Sequence, residues 1–218
     1  MKILEFKNQG QNNPLAPTWK YFIFEASIEN INLKSLSKYL LKKEKNILKL
    51  KKINDGYTGL NNHTTTRHTE YNLFDSKSFK NKEIDKLKEQ IIEKHNKFIE
   101  GLGLKLPKIL YGKCWYNIMR KNEAIKAHAH AWDPDTYLGG HFCVQCNNTS
   151  TYYINPINQL CDPAVHPSKN EEGKLTLFQN FVPHYTDKHK GDIERITIAF
   201  DLAVVKLTER FTVLHEYR

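Results

Sequence analysis

The nine residues AHAHAWDPD (127–135) place His128 and His130 one residue apart, with Asp133 and Asp135 just beyond. On an extended strand, side chains at i and i+2 point the same way. Both imidazoles would then face one side, and Ala127, Ala129 and Ala131 the other, where small side chains let another layer pack closely. Two neutral imidazoles held side by side make a bidentate pair for a divalent metal. Ten histidines in 218 residues also make chance pairs common, so a surface or hydrogen-bonded pair is the competing reading. Two later residues add what a pair lacks. His184 follows KLTLFQNFVP, and Arg195, eleven positions on, opens the run RITIAF. A residue ending one barrel strand and another starting the next can reach one cavity. That would supply a third imidazole and a guanidinium fork for a carboxylate. A surface arginine at a strand end is the alternative for Arg195. The third metal ligand stays open between His130 and an aspartate. Pro134 turns the chain and could bring Asp133 or Asp135 back to a metal, although an Asp beside a Pro is commonly a plain turn residue.

The other chemistry-bearing residues are less ordered. CVQC, from Cys143 to Cys146, has ligand or redox spacing. On a regular strand, however, i and i+3 face opposite ways, and no second pair sits at zinc spacing, so buried reduced thiols are expected. His141, two before Cys143, could point into a barrel. His63, His68, His166, His189 and His215 fall in loops or near the terminus with no spacing logic.

The elements that would position these residues fall into two regimes. KILEFKN and KYFIFEASI read as strands around the breaker-rich GQNNPLAPT. Residues 32–50 read as a helix capped by Asn32, with Leu33, Leu36, Leu40 and Ile47 on one face. EIDKLKEQIIEKHNKFIEGLGL reads as a second helix burying Ile84, Leu87, Ile91, Phe98 and Leu102 and ended by Gly101 or Gly103. From Pro107 the chain reads as strands: KILYGKCWYNIMR, AIKAHAHAW, GGHFCVQC, TYYINP, KLTLFQNF, RITIAFDLAVV and RFTVLHEY. Short strands with turn signals between them predict an antiparallel barrel. The expectation is a single domain over 1–218, with a mixed helical and strand support (1–105) packed on a barrel core (106–218). The loop DGYTGLNNHTTTRH interleaves aromatics with turn residues, and long ordered loops are often functional. Tyr57 and Arg67 are its candidate substrate-facing residues.

Hydrophobic residues make up 39% of the chain and no apolar run reaches membrane-spanning length. MKILEFKNQGQNNP lacks the apolar core of a signal peptide, so a cytoplasmic setting (a host's cytoplasm if the chain is viral) and four reduced cysteines are expected. The net charge of +9 raises nucleic acid as a partner. Much of the excess is lysine in LKSLSKYLLKKEKNILKLKK, with no binding motif, so a solvated helix face is the expected reading.

The ordered set WYN (115–117), HAH (128–130), LGGHFCV (138–144), TYYINP (151–156), GKLTLFQNFVPH (173–184) and RITIAFD (195–201), with DGYTGL (55–60) and Tyr71–Leu73 upstream, resembles the iron(II)- and 2-oxoglutarate-dependent oxygenases. The likeness is to their prolyl-hydroxylase-like branch, and more narrowly to phage and bacterial members with a His-x-His motif. It runs from about residue 54 to residue 202. It implies an α+β fold, a double-stranded β-helix (jelly-roll or cupin-like barrel) with supporting N-terminal helices. It implies Fe(II) bound by His128, His130 and His184, with Asp133 the substitute where His130 occupies the family's carboxylate position. It implies that Arg195 grips the far carboxylate of 2-oxoglutarate, with Asn117 and Tyr153 as weaker cosubstrate contacts. The reaction implied is hydroxylation coupled to oxidative decarboxylation of 2-oxoglutarate to succinate. The expected acceptor is a protein or peptide side chain, with nucleic acid second. The chain departs from the pattern where LFQN replaces the family's Leu-Phe-Pro-Ser and where Asp201 replaces its final Asn. A metal-dependent barrel enzyme without 2-oxoglutarate and a basic, non-catalytic binding module are the rival readings.

Overall fold

The period-two patterns fold into two antiparallel sheets set face to face. The computed structural model describes residues 1–7, 14–15, 18–49, 58–60, 71–75, 77–131, 135–156 and 164–217. Tyr57, His63, Arg67, His68, Asp133 and Cys161 lie outside the described residues. The strands are β1 (Lys2–Lys7), β2 (Lys20–Ser27), β3 (Ile109–Met119), β4 (Thr136–Gln145), β5 (Ser150–Ile154), β6 (Val165–Lys169), β7 (Lys174–Gln179), β8 (His184–Thr186), β9 (Arg195–Ala203) and β10 (Thr212–Glu216). The larger sheet runs β1-β2-β7-β4-β9-β3-β10 and the smaller β6-β5-β8. The N-terminal strands therefore extend the same sheet as the C-terminal half, because β2 lies antiparallel to β7 from Ile23↔Phe178 to Ser27↔Lys174.

Directly paired residues share a face, so the register sorts the large sheet into two surfaces. One row after another on the outer surface is apolar: Cys114, Phe200, Gly140, Leu177 and Phe24, then Tyr116, Ile198, Phe142, Leu175 and Ala26. The inner surface carries Lys113, Asp201, Gly139 and Phe178 in one row, then Trp115, Ala199, His141 and Thr176, then Asn117, Thr197 and Cys143, and finally Met119 and Arg195. One sheet thus offers hydrocarbon to one side and chemistry to the other.

Two helices cover the apolar side. In α1 (Leu33–Ile47) the Asn32 side chain accepts from the Ser35 amide, and in α2 (Lys82–Gly101) Asn81 accepts from Glu83, both satisfying first-turn donors. Gly103, at φ +70°, turns the chain out of α2. The buried faces hold Leu36, Leu40 and Ile47 in α1, and Ile84, Leu87, Ile91 and Phe98 in α2. Phe98 packs 5.3 Å from Phe24, and the Tyr116 hydroxyl donates to the Leu40 carbonyl at 2.9 Å. Glu44 accepts both arms of Arg120 at 3.1 and 2.9 Å, tying α1 to the end of β3. Lys34, Lys38, Lys42, Lys45 and Lys49 are exposed, so the basic helix presents a solvated face. No helix among the described residues is long and apolar enough to cross a membrane.

The Gly139–Gly140 pair follows from close approach on both surfaces. A Cβ at Gly139 would stand 2.8 Å from the Phe178 ring. One at Gly140 would stand 2.3 Å from the Phe200 ring and 2.8 Å from the Thr176 carbonyl, which is backbone and cannot step aside. Gly140→Ala is expected to cost about 1–3 kcal/mol by overpacking. Urea denaturation should show a lowered midpoint with an unchanged slope.

Candidate metal and dicarboxylate site

The histidine segment differs from its expected form. Residues 125–131 make no regular strand; they run extended beside β8 through an isolated bridge between His128 and His184. Main-chain bonds hold the segment: His128 N–H to the His184 carbonyl (3.1 Å), His184 N–H to that of His128 (2.9 Å), His130 N–H to that of Asn180 (3.0 Å) and Thr186 N–H to that of Ile125 (3.1 Å). Ala127, Ala129 and Ala131 are exposed, so no layer of the described residues packs on their side. Their small size is not explained by packing. His184, expected at a strand end, lies on the three-residue β8, which pairs with β5 at Tyr153.

The segment and β8 bring three imidazoles together. Ring centroids lie 4.5 Å apart for His128 and His184, 5.1 Å for His130 and His184, and 5.3 Å for His128 and His130. One nitrogen from each falls within 4.8 Å of the others. The Nδ1 atoms are otherwise engaged: His128 with the Lys126 carbonyl at 2.8 Å, His184 with the Val182 carbonyl at 3.2 Å, and His130 with Asp201 Oδ1 at 2.6 Å. A carbonyl or a carboxylate only accepts, so each Nδ1 carries a proton and a ring in its neutral form keeps its lone pair on Nε2. Burial, then the neighbouring His130, pushes His128 down to about 4. Burial, then His128 and His130, holds His184 well below the usual imidazole range. Three neutral imidazoles with inward lone pairs suit a first-row divalent metal such as iron, so this donor set fits the ion that the resemblance implies. Asp135 is exposed and stands outside the cluster.

Arg195 lies three inward steps along β9 from Asp201, a span of about 20 Å at strand rise. It is 2% exposed. Nη1 meets the Met119 sulfur at 2.8 Å, while Nε has no hydrogen-bond partner. Among the described residues no carboxylate forms an ion pair with it. A buried cation left so is costly, and burial lowers its pKa. The Tyr153 and Thr176 hydroxyls are also buried without hydrogen-bond partners. Tyr153 stands 5.8 Å from the His184 ring, and burial raises its phenol well above the usual range. Such donors without partners among the described residues suit an oxygen-rich anion. Asn117 is buried on the same inner surface.

The cysteines correct an expectation. The β4–β9 register shifts between Cys143 and Gln145, so Val144 forms a bulge. The extra residue restores Cys146 to the side of Cys143, whose thiol donates to Asn170 Oδ1 at 3.7 Å; Cys146, then His141 and Arg195, favour charge on Cys143. His141 faces inward, as its spacing allowed. His166 and His215 sit on β6 and β10 rather than in loops. His189 is buried and its Nε2 pairs with the Ile193 carbonyl at 2.5 Å, a structural role. Asp201 is the residue whose contact the sequence reading missed. The alternation Arg195, Thr197, Ala199, Asp201 would have placed it on the same side as Arg195.

No protein-family model and no curated protein matches the sequence. Solved structures do. A prolyl-4-hydroxylase from Pseudomonas putida aligns over 83% of this chain and 91% of its own, with TM-score 0.57 and 10% identity. The viral collagen prolyl hydroxylase of Paramecium Bursaria Chlorella virus-1, in its 2-oxoglutarate complex, aligns over 84% and 96%, with TM-score 0.53 and 12% identity. A 2-oxoglutarate–Fe(II) oxygenase family oxidoreductase from Burkholderia pseudomallei aligns over 52% of this chain at TM-score 0.43 and 14% identity; the match spans about half of that protein, 53%. The described architecture and the first two matches agree: the chain has the α+β, double-stranded β-helix fold of these hydroxylases, with its helices backing the larger sheet.

Proposed function

We propose that the protein is an iron(II)- and 2-oxoglutarate-dependent dioxygenase that hydroxylates a protein or peptide side chain. The observation that carries this reading is the presence, in one barrel, of three converging imidazoles and a buried guanidinium that forms no carboxylate ion pair among the described residues. His128, His130 and His184 would hold the metal through Nε2. Asp133 is the substitute ligand should His130 not bind. Arg195 would take the far carboxylate of 2-oxoglutarate in two parallel hydrogen bonds, which relieves its buried charge. Asn117 and Tyr153 would orient the cosubstrate from neighbouring positions. Bound iron would supply oxidation of the acceptor coupled to decarboxylation of 2-oxoglutarate to succinate. The barrel walls, lined by Phe178 and Trp115 near the histidines, would exclude water from that chemistry. A metal-binding barrel without 2-oxoglutarate would leave Arg195 unpaired. The peptide reading is supported by the prolyl hydroxylases among the structural matches. Tyr57 and Arg67 remain the substrate-facing proposal from sequence.

The test is succinate release from 2-oxoglutarate by the Fe(II)-loaded protein, with and without proline-containing peptides. Succinate formation that rises with a peptide is the expected result. Iron bound, yet no visible charge-transfer band on anaerobic 2-oxoglutarate addition and no succinate, would remove the cosubstrate from the reading.

A further inference from the structure

The cluster of three histidines contributes no negative charge of its own. A divalent cation held by three neutral imidazoles keeps its full charge in a buried site, and a buried charge is costly unless compensated. Among the described residues, the carboxylate that contacts the cluster is that of Asp201. Its carboxylate is buried and accepts from His130 Nδ1 at 2.6 Å. Among the described residues the other two histidines bond uncharged carbonyls, and His130 is the one tied to a carboxylate. Register makes the contact possible, because Asp201 pairs with Gly139, which has no side chain to fill the space over the strand.

Resting on the metal-site reading above, we propose that Asp201 is the site's carboxylate, placed one hydrogen bond behind the ligands rather than among them, where it positions His130 and offsets the metal's charge through the imidazole. A carboxylate in that place fixes the ring's orientation and the Nε2 lone pair, and makes the ring a stronger donor. Asp201 is thus a positioning residue: it touches a ligand, never the metal.

The test titrates Co(II) into the full-length protein and follows its visible absorption. Asp201→Asn keeps size and an oxygen acceptor but loses the charge. It should weaken Co(II) by about 10–100-fold, the usual loss for such a partner. A purely structural role for Asp201 would leave that affinity unchanged. The decisive comparison is the same substitution in a His130→Asp background, where a carboxylate occupies the ligand position and Asp201 has no imidazole to act through. There Asp201→Asn should no longer weaken binding. In the metal-free protein, 15N spectra of the histidine rings report His130 directly, as the Nδ1–H form in wild type and as a tautomer mixture in Asp201→Asn. An equal loss in both backgrounds, or wild-type affinity in Asp201→Asn, overturns the proposal. If His184→Ala abolishes Co(II) binding while Asp201→Asn does not alter it, the metal site stands and this inference alone falls. If wild type binds no Co(II), the metal reading falls and takes the inference with it.

Discussion

His184→Ala abolishes stable iron binding while the fold survives. The ring supplies one of three nitrogens that meet within 4.8 Å, and the other two cannot close a face of an octahedral ion alone. Losing a mere hydrogen-bonding partner of a ligand costs about 10–100-fold in affinity, so losing the ligand itself costs more. The backbone roles of His184 do not need its side chain. Its amide and carbonyl still bond residue 128, and β8 still pairs with β5. Iron content after anaerobic loading and dialysis reads the first effect, and far-ultraviolet circular dichroism the second. The same assay resolves the third ligand. His130→Ala should lose iron as His184→Ala does. Iron lost from Asp133→Ala but kept by His130→Ala would move the ligand role to Asp133.

Arg195→Met separates cosubstrate binding from stability, because its two effects have opposite signs. Methionine nearly conserves volume and removes a buried cation that forms no carboxylate ion pair among the described residues. Replacing a buried charge by an apolar side chain is often neutral or stabilising, so the melting temperature should hold or rise. Once 2-oxoglutarate is present, the balance reverses. Removing one partner of a buried charged pair costs about 3–5 kcal/mol, which is roughly 150- to 5,000-fold in affinity. The KM for 2-oxoglutarate should rise by that factor, with iron content unchanged. An Arg195→Met protein with wild-type KM would show that the guanidinium holds no cosubstrate carboxylate.

The sequence carried much of the site because the relevant spacings are local. The single residue between His128 and His130 puts both rings on one side, even though residues 125–131 adopt no regular strand. The helices were legible for the same reason: Asn32 caps where expected, and Leu36, Leu40 and Ile47 turn inward together. What was hidden depends on partners remote in sequence. The bulge at Val144 exists only against β9, so nothing in CVQC announces that both thiols face one way. The exposure of Ala127 and Ala129 reflects the absence of a neighbouring layer, which is a fact about the rest of the fold. That β1 and β2 join the large sheet follows from β2 meeting β7 about 150 residues later along the chain. Asp201 lay between these cases, since its face was readable from RITIAFD but its partner was not.

The strand β9 has a further consequence. It is buried along its whole length, with Arg195, Thr197, Ala199 and Asp201 turned to the barrel and Ile196, Ile198, Phe200 and Leu202 to the helices. Reaction and solidity are therefore interleaved on a single ribbon. On the proposed function, point changes at odd positions would alter the candidate site, and those at even positions how well the fold holds together. An insertion or deletion of one residue at its middle would trade the two roles for everything beyond it, setting an aspartate among aromatic rings and a phenylalanine against the imidazoles. Such a strand can drift in composition over time, but it cannot drift in length.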